Sequence, residues 1–233
     1  TGGTSGVVYA VTDKLQSKEN QRINHFAHIN YSKESPIIGK LLCINGAGIQ
    51  YRWMKNNTGA NSYEEMNRLA AKQDIGSDGL LVYPFGNGAE RMLNNININA
   101  RYLNLNLNQH DRGSMYRATL EGIAFSFVYG IKFIEGDNFN LTSIKAGNDN
   151  LFQSTVFSQT ISTLVGKEIQ LYNTTGAIGA ARASSTNVKD LDAFVKMSTK
   201  NDYFKSFIPE KDASKYMMAF SNWTSELEKM INR

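Results

Sequence analysis

The chain has 233 residues, 41% of them hydrophobic and 20% charged, and a net charge of +4 at pH 7. That composition excludes a disordered or fibrous chain and leaves room for one large domain or two small ones. No apolar run reaches the ~20 residues of a membrane span, the basic residues are scattered rather than gathered into a nucleic-acid-binding face, and the lone Cys43 fits a reducing, cytoplasmic setting.

The first residues, T-G-G-T-S-G, run straight into the apolar strand Gly6–Thr12. Gly2–Ser5 reads either as an unstructured lead-in or, in a chain taken from a longer protein, as a tight turn. In the second case its backbone N–H groups and hydroxyls could hold phosphate. Phe26–Tyr31 and Ile37–Ile44 follow as further strands around a polar turn at Ser32–Pro36, and with Gly6–Thr12 they predict a three-stranded antiparallel meander. A glycine break at Gly46–Gly48 then leads into a short helix, with Gln50 on its amino-terminal side; a solvated helix residue is its plain alternative role.

Ser62, with Glu65 three residues on, reads as a capping box for a helix over Tyr63–Lys72. Gly79–Phe85 is a short apolar run, followed by Glu90 and Arg91, which could line a cleft but fit an exposed loop pair better. Asn94–Asn108 alternates asparagine with Ile, Tyr or Leu, as an irregular loop or a half-wet edge strand would. Met115–Glu135 is the longest predicted helix, with Leu120, Ile123, Ala124, Phe127, Ile131 and Ile134 on its buried face and Arg117 and Glu121 as a structural i, i+4 pair.

Leu141–Leu171 is the most informative stretch. A short strand over Leu141–Lys145 breaks into a small, polar turn at Ala146–Asn150. From Phe152 the apolar residues take helical spacing (Phe157, Ile161, Leu164, Val165), Gly166 ends the helix, and Glu168–Tyr172 is the next strand. Such a unit makes its two strands parallel, and ligands of parallel sheets sit beyond the carboxyl ends of the strands, here at the Ala146–Asn150 turn. Small residues over Thr174–Ser184 suit close helix packing, and helices are predicted over Lys189–Thr199 and Asp212–Ile231, the last turning Met217, Phe220, Trp223, Leu227 and Ile231 inward. His25, His28 and His110 have no metal-ligand spacing. The sequence holds no G-x-S-x-G elbow and no G-x-x-x-x-G-K-S/T loop.

Four stretches together resemble the carboxy-terminal domain of the FGGY carbohydrate kinases, most closely the xylulose kinases. Gly3–Val8, G-T-S-G-V-V, is similar to the family's phosphate turn and first strand, and Gly46–Trp53, G-A-G-I-Q-Y-R-W, to its G-A-S-I-Q-W segment. Tyr83–Arg91, Y-P-F-G-N-G-A-E-R, resembles P-Y-L-S-G-E-R, and Met115–Phe125, M-Y-R-A-T-L-E-G-I-A-F, resembles the family's second signature. Asn104 and Ser114 depart from that signature, and Ala146–Ser154 matches the family's adenosine turn only with an insertion.

The resemblance implies an α/β fold of the ribonuclease-H-like, actin-like ATPase kind: one domain over residues 1–233, with a mixed five-stranded sheet and helices on both faces. It implies ATP and Mg2+ as the phosphoryl donor, Thr4 and Ser5 with Gly3 at the β- and γ-phosphates, and Gly46, Gln50, Gly147, Asn148 and Asn150 around the adenosine. The implied partners are ATP or ADP and a sugar, D-xylulose first, taken mainly by an amino-terminal domain; nucleic acid and membrane are not expected, and a homodimer is compatible. The family's catalytic aspartate precedes the G-T-S-G turn, so none of these residues is its counterpart, and the chain alone is expected to be inactive. Two rivals share the fold. An actin- or Hsp70-like interaction domain leaves the L-E-G-I-A-F helix unexplained, and a nuclease needs carboxylates that the first three strands lack.

Overall fold

The computed structural model describes residues 1–15, 19–136, 141–185, 196 and 202–232. The strand β1 (Gly6–Thr12) pairs antiparallel with β3 (Ile38–Ile44) over all seven residues, from Gly6 opposite Ile44 to Thr12 opposite Ile38. The short β2 (Asn24–Ala27) lies on the far edge of β3, so the order is β1-β3-β2 and the expected meander is replaced by an insertion of the third strand. Burial accounts for the order. The side chains of Leu42 and Ile44 are wholly covered, whereas the four residues of β2 are all at least partly open, which suits an edge.

The helix α1 (Gly48–Thr58) follows β3, and α2 (Tyr63–Ala70) starts at the Ser62 cap, whose hydroxyl accepts the Glu65 N–H at 3.2 Å. Only half of the capping box forms. The Glu65 carboxylate turns to Asn61, accepting its backbone N–H at 2.9 Å, rather than to the Ser62 N–H. The two-stranded ribbon of β4 (Leu81–Tyr83) and β5 (Arg101–Leu103) comes next, and β5 is the edge strand foreseen within the asparagine-rich stretch. Around it Asn94, Asn95, Asn99 and Asn104 take positive φ, which asparagine tolerates better than most residues.

The helix α3 (Arg112–Glu135) runs through the centre of the molecule. It starts three residues before the predicted Met115, because Asp111 accepts the Ser114 N–H at 2.9 Å while the Ser114 hydroxyl accepts the Asp111 N–H at 3.4 Å. The expected apolar face is buried, and so is most of the rest of its surface. The L-E-G-I-A-F run now has a physical meaning. A Cβ at Gly122 would lie 2.1 Å from the Val82 carbonyl oxygen, so only glycine lets α3 come this close to β4. Glu121, buried against Arg117 at 2.8 Å, accepts the Gly76 N–H and the Ser77 hydroxyl and so holds a loop in which Gly76, Ser77, Asp78 and Gly79 all have positive φ.

The strand β6 (Ile144–Gly147) and β7 (Ile169–Tyr172) are parallel, as the strand–helix–strand reading required, with Ile144 opposite Ile169 and Gly147 opposite Tyr172. Between them α4 (Thr155–Val165) is capped by Ser154 and ended by Gly166 at φ 67. Ala146 and Gly147 belong to the strand, so the turn is shorter than foreseen. An unforeseen strand, β8 (Tyr203–Phe207), pairs antiparallel with β7. The helix α5 (Gly176–Ser185) lies largely exposed rather than packed tightly as its small residues suggested. The helix α6 (Ser214–Ile231) buries Phe220, Trp223 and Leu227 but leaves Met217 61% exposed. The helix expected over Lys189–Thr199 falls outside the described residues, apart from residue 196.

The described strands form sheets of three, two and three strands rather than one five-stranded sheet. The strands β1 and β6 face one another across an apolar cavity of about 480 Å³, lined by Val7, Val11, Phe127, Ile131, Ile144 and Ile161 among others, and do not hydrogen-bond. The core centres on Trp223, whose indole N–H donates to the Val82 carbonyl at 2.9 Å and whose ring stacks on Tyr83 at 5.1 Å. Burying each such side chain contributes roughly 1.5–3 kcal/mol.

Candidate functional site

The backbone bend at Gly3–Ser5 has two distinct sides. Its carbonyls face α1: Gly3 O accepts the Gly48 N–H and Thr4 O the Ile49 N–H, both at 3.0 Å. These two bonds replace a side-chain cap, for Ala47 at the start of α1 offers none. On the other side, beyond the antiparallel bridge of Gly2 to Gly6, the N–H groups and hydroxyls of Thr4 and Ser5 have no partner among the described residues. Thr4 and Ser5 are exposed. Consecutive unpaired N–H groups at a bend make a concave anion-binding surface.

A second turn meets this bend from almost 150 residues away. Leu151 donates its N–H to the Gly2 carbonyl at 3.1 Å, at the start of a 3-10 turn over Asn150–Gln153 that leads into α4. Asn150 sits at φ 48, a left-handed conformation that favours glycine and that asparagine tolerates. The two turns enclose, with α1 and α2, a cavity of about 300 Å³ lined by Gly3, Thr4, Tyr51, Arg52, Asn67 and Asn150 among others. Its floor is rigid. Tyr51 stacks on Tyr63 at 5.7 Å and donates to the Asn67 amide oxygen at 2.9 Å, and burial pushes its phenol well above the usual range, so it stays protonated.

Of the residues singled out from the sequence, the fold brings Gly3, Thr4 and Asn150 to this one cavity. Ser5 is the next residue of the bend, outside the lining. Gly147 ends β6, and Asn148 ties that end to β7, donating its N–H to Tyr172 O at 2.8 Å and its amide to Asn173 Oδ1 at 3.0 Å. Gln50 is buried on the opposite side of α1, donating to the Tyr102 hydroxyl at 2.6 Å beside a second concavity of about 370 Å³ that Trp53 also lines. Gly46 is buried in the turn before α1, where a Cβ would fall 1.8 Å from the Pro84 carbonyl oxygen.

Two residues were not singled out for this place. Arg52 lines the cavity and makes no hydrogen bond or ion pair among the described residues. Glu90, read from the sequence as one of an exposed pair, is fully buried, and its carboxylate accepts the Asn45 N–H at 2.9 Å and the Gly46 N–H at 2.7 Å. Its neighbour Arg91 turns the other way, to Gln21 O and the Asn24 side chain. A signal for Glu90 was present in its place beside the P-F-G-N-G run, but its partners lie 44 and 45 residues away. The described residues include no group of three or more Asp, Glu, His or Cys side chains that could hold a metal ion.

No protein-family model matches the chain. It is 28% identical over 181 residues to a gluconokinase of Bacillus subtilis, covering 72% of this chain and 34% of that protein. It is 30% identical over 174 residues to a xylulose kinase of Staphylococcus epidermidis, covering 71% of this chain and 34% of that protein. Among solved structures, a Plasmodium falciparum glycerol kinase with ADP superposes with a TM-score of 0.82 over 98% of this chain and 46% of its own, at 19% identity. The chain thus spans about a third of the length of the curated relatives it matches. Relatives named xylulose kinase and gluconokinase bear out the FGGY resemblance of the four motifs, and the structural likeness shows an α/β fold shared with sugar and polyol kinases.

Proposed function

We propose that this chain is the nucleotide-binding part of an ATP-dependent carbohydrate kinase of the FGGY kind, with the nucleotide in the cavity between the Gly3–Ser5 bend and the Asn150 turn. The observation that carries the reading is the bend itself. The Gly3 and Thr4 carbonyls are committed to α1, and the N–H groups and hydroxyls of Thr4 and Ser5 are left for an anion. Thr4 and Ser5 with Gly3 hold the β- and γ-phosphates, and Asn150, with Gly147 and Asn148 behind it, borders the adenosine. Gly46 and Gln50 frame the same site through α1 rather than by lining the cavity. Mg2+ arrives with the nucleotide as part of the substrate, and neutralises phosphate charge during transfer.

The acceptor is a sugar or sugar acid hydroxyl, with D-xylulose, giving xylulose 5-phosphate, first in line because the relative at 30% identity is a xylulose kinase. The relatives' names divide between xylulose and gluconate, so the nucleotide half of the reaction has the firmer support.

A ligand that binds only the native state raises its thermal stability with ligand excess. Millimolar Mg·ADP is therefore expected to raise Tm, and Mg·GDP to raise it less. Thr4→Ala removes one charge-assisted hydrogen bond, worth roughly 1.5–3 kcal/mol, and so weakens ADP binding about tenfold or more. No shift with any nucleotide, together with silent calorimetry, would overturn the assignment.

A further inference from the structure

We propose that Glu90 is a positioning residue of the nucleotide site, acting through the Gly46 turn and α1 on the Gly3–Ser5 bend. The inference rests on the nucleotide reading of that cavity and adds to it a residue that touches no ligand. Glu90 is fully buried, and its carboxylate accepts two backbone N–H groups, Asn45 at 2.9 Å and Gly46 at 2.7 Å. A buried carboxylate is retained only where hydrogen bonds offset its desolvation. Burial holds this carboxyl above the usual carboxylate range, and the two N–H groups pull the other way, in favour of the charged form.

The turn that Glu90 grips is closed from the other side as well. Asn45 Nδ2 donates to Ala89 O at 2.7 Å, and Asn87 Nδ2 donates to Asn45 O at 3.1 Å. Gly46 can lie against Pro84 only because it has no side chain. Two residues on, the Gly48 and Ile49 N–H groups donate to the Gly3 and Thr4 carbonyls. Those two bonds set which way the peptide planes of the bend face, and hence where its unpaired N–H groups point. Hydrogen bonds at either end of the short Gly46–Ile49 backbone segment therefore join Glu90 to the proposed phosphate groups, with no side chain that contacts ligand in between.

The test compares E90Q, E90D and E90A with F125L, a core substitution among the rings of Phe220 and Trp223 chosen to lower Tm without touching the cavity or the turn. The Kd for Mg·ADP is measured by calorimetry well below every Tm. E90Q keeps one acceptor oxygen but sets an NH2 against the other N–H, so it is expected to weaken ADP binding about tenfold. E90D, a carboxylate on a shorter arm, recovers part of the loss, and F125L binds as the unsubstituted chain does. An unchanged Kd in both E90Q and E90A, or a loss of affinity in F125L equal to theirs at matched Tm, overturns the proposal. A second readout needs no ligand. In E90Q the amides of Gly46, Gly48 and Ile49 should exchange with solvent about tenfold faster while those of mid-α3 are unaltered. If the unsubstituted chain binds no nucleotide, the functional reading fails, and exchange still decides whether Glu90 sets the turn: unaltered exchange at Gly46–Ile49 overturns it.

Discussion

Thr4 gives its two backbone groups to different tasks: its carbonyl stabilises the start of α1, while its N–H and hydroxyl remain open. Arg52, one turn into the same helix, is the one cation among the described residues lining the cavity. Exposed and with no acidic partner among the described residues, its guanidinium stays hydrated, and its field favours a bound polyphosphate. Arg52→Gln is therefore expected to weaken Mg·ADP binding three- to tenfold at low ionic strength, with a smaller loss at 0.5 M salt, since an exposed charge is screened there. Calorimetry at two salt concentrations measures it. Equal affinities for the two proteins at low salt would place the phosphates away from Arg52.

At the scale of elements, local signals were read well and distant ones poorly. Ser62 and Gly166 mark helix ends by chemistry confined to three or four residues, and both stand where the sequence put them. The parallel pairing of β6 with β7 followed from the strand–helix–strand order alone. The β1-β3-β2 order was not legible, because nothing local distinguishes which of two partners a strand chooses. Glu90 was misread for the same reason: a charged residue in a glycine-rich loop is usually exposed, and only the folded chain brings the Asn45 and Gly46 N–H groups to it. Gly3, Thr4 and Asn150 line one cavity, whereas the side chain of Gln50 is spent on Tyr102. The early start of α3 offers a test at this scale. Asp111 caps it, so Asp111→Ala should cost about 1 kcal/mol of stability. The Ser114 N–H holds the Asp111 carboxyl below its ordinary pKa. Its contribution is thus fully present above the unfolded-state value near ~3.9 and is lost as pH falls through the lower folded value. Denaturant melts at pH 7 should separate Asp111→Ala from the unsubstituted protein, and melts at pH 3 should separate them less. A gap that stays constant with pH would mean that the charged cap is not what starts the helix.

For the whole molecule, the question is how much of a kinase cycle these residues can run. Phosphoryl transfer asks a protein to position the nucleotide, neutralise charge and accept the proton of the attacking hydroxyl. On the proposed reading the cavity serves the first two through the Gly3–Ser5 bend and Arg52. For the third, no Asp, Glu or His is among the described residues that line it. Among the described residues the buried carboxylates are already engaged, Glu90 by the Gly46 turn and Glu121 by Arg117 and the Gly76 loop. The cavity is also open on one side, and water that a closing partner would exclude can reach any bound phosphate. The 233-residue chain is therefore expected to bind Mg·ADP weakly and to show no sugar-dependent ADP release from Mg·ATP with D-xylulose, D-gluconate or glycerol. A coupled assay at millimolar ATP over that panel checks it, with calorimetric ADP binding on the same preparation to prove the site intact. Turnover well above the sugar-free blank, abolished by substituting any one carboxylate of this chain, would reveal a general base that the geometry does not place at the cavity.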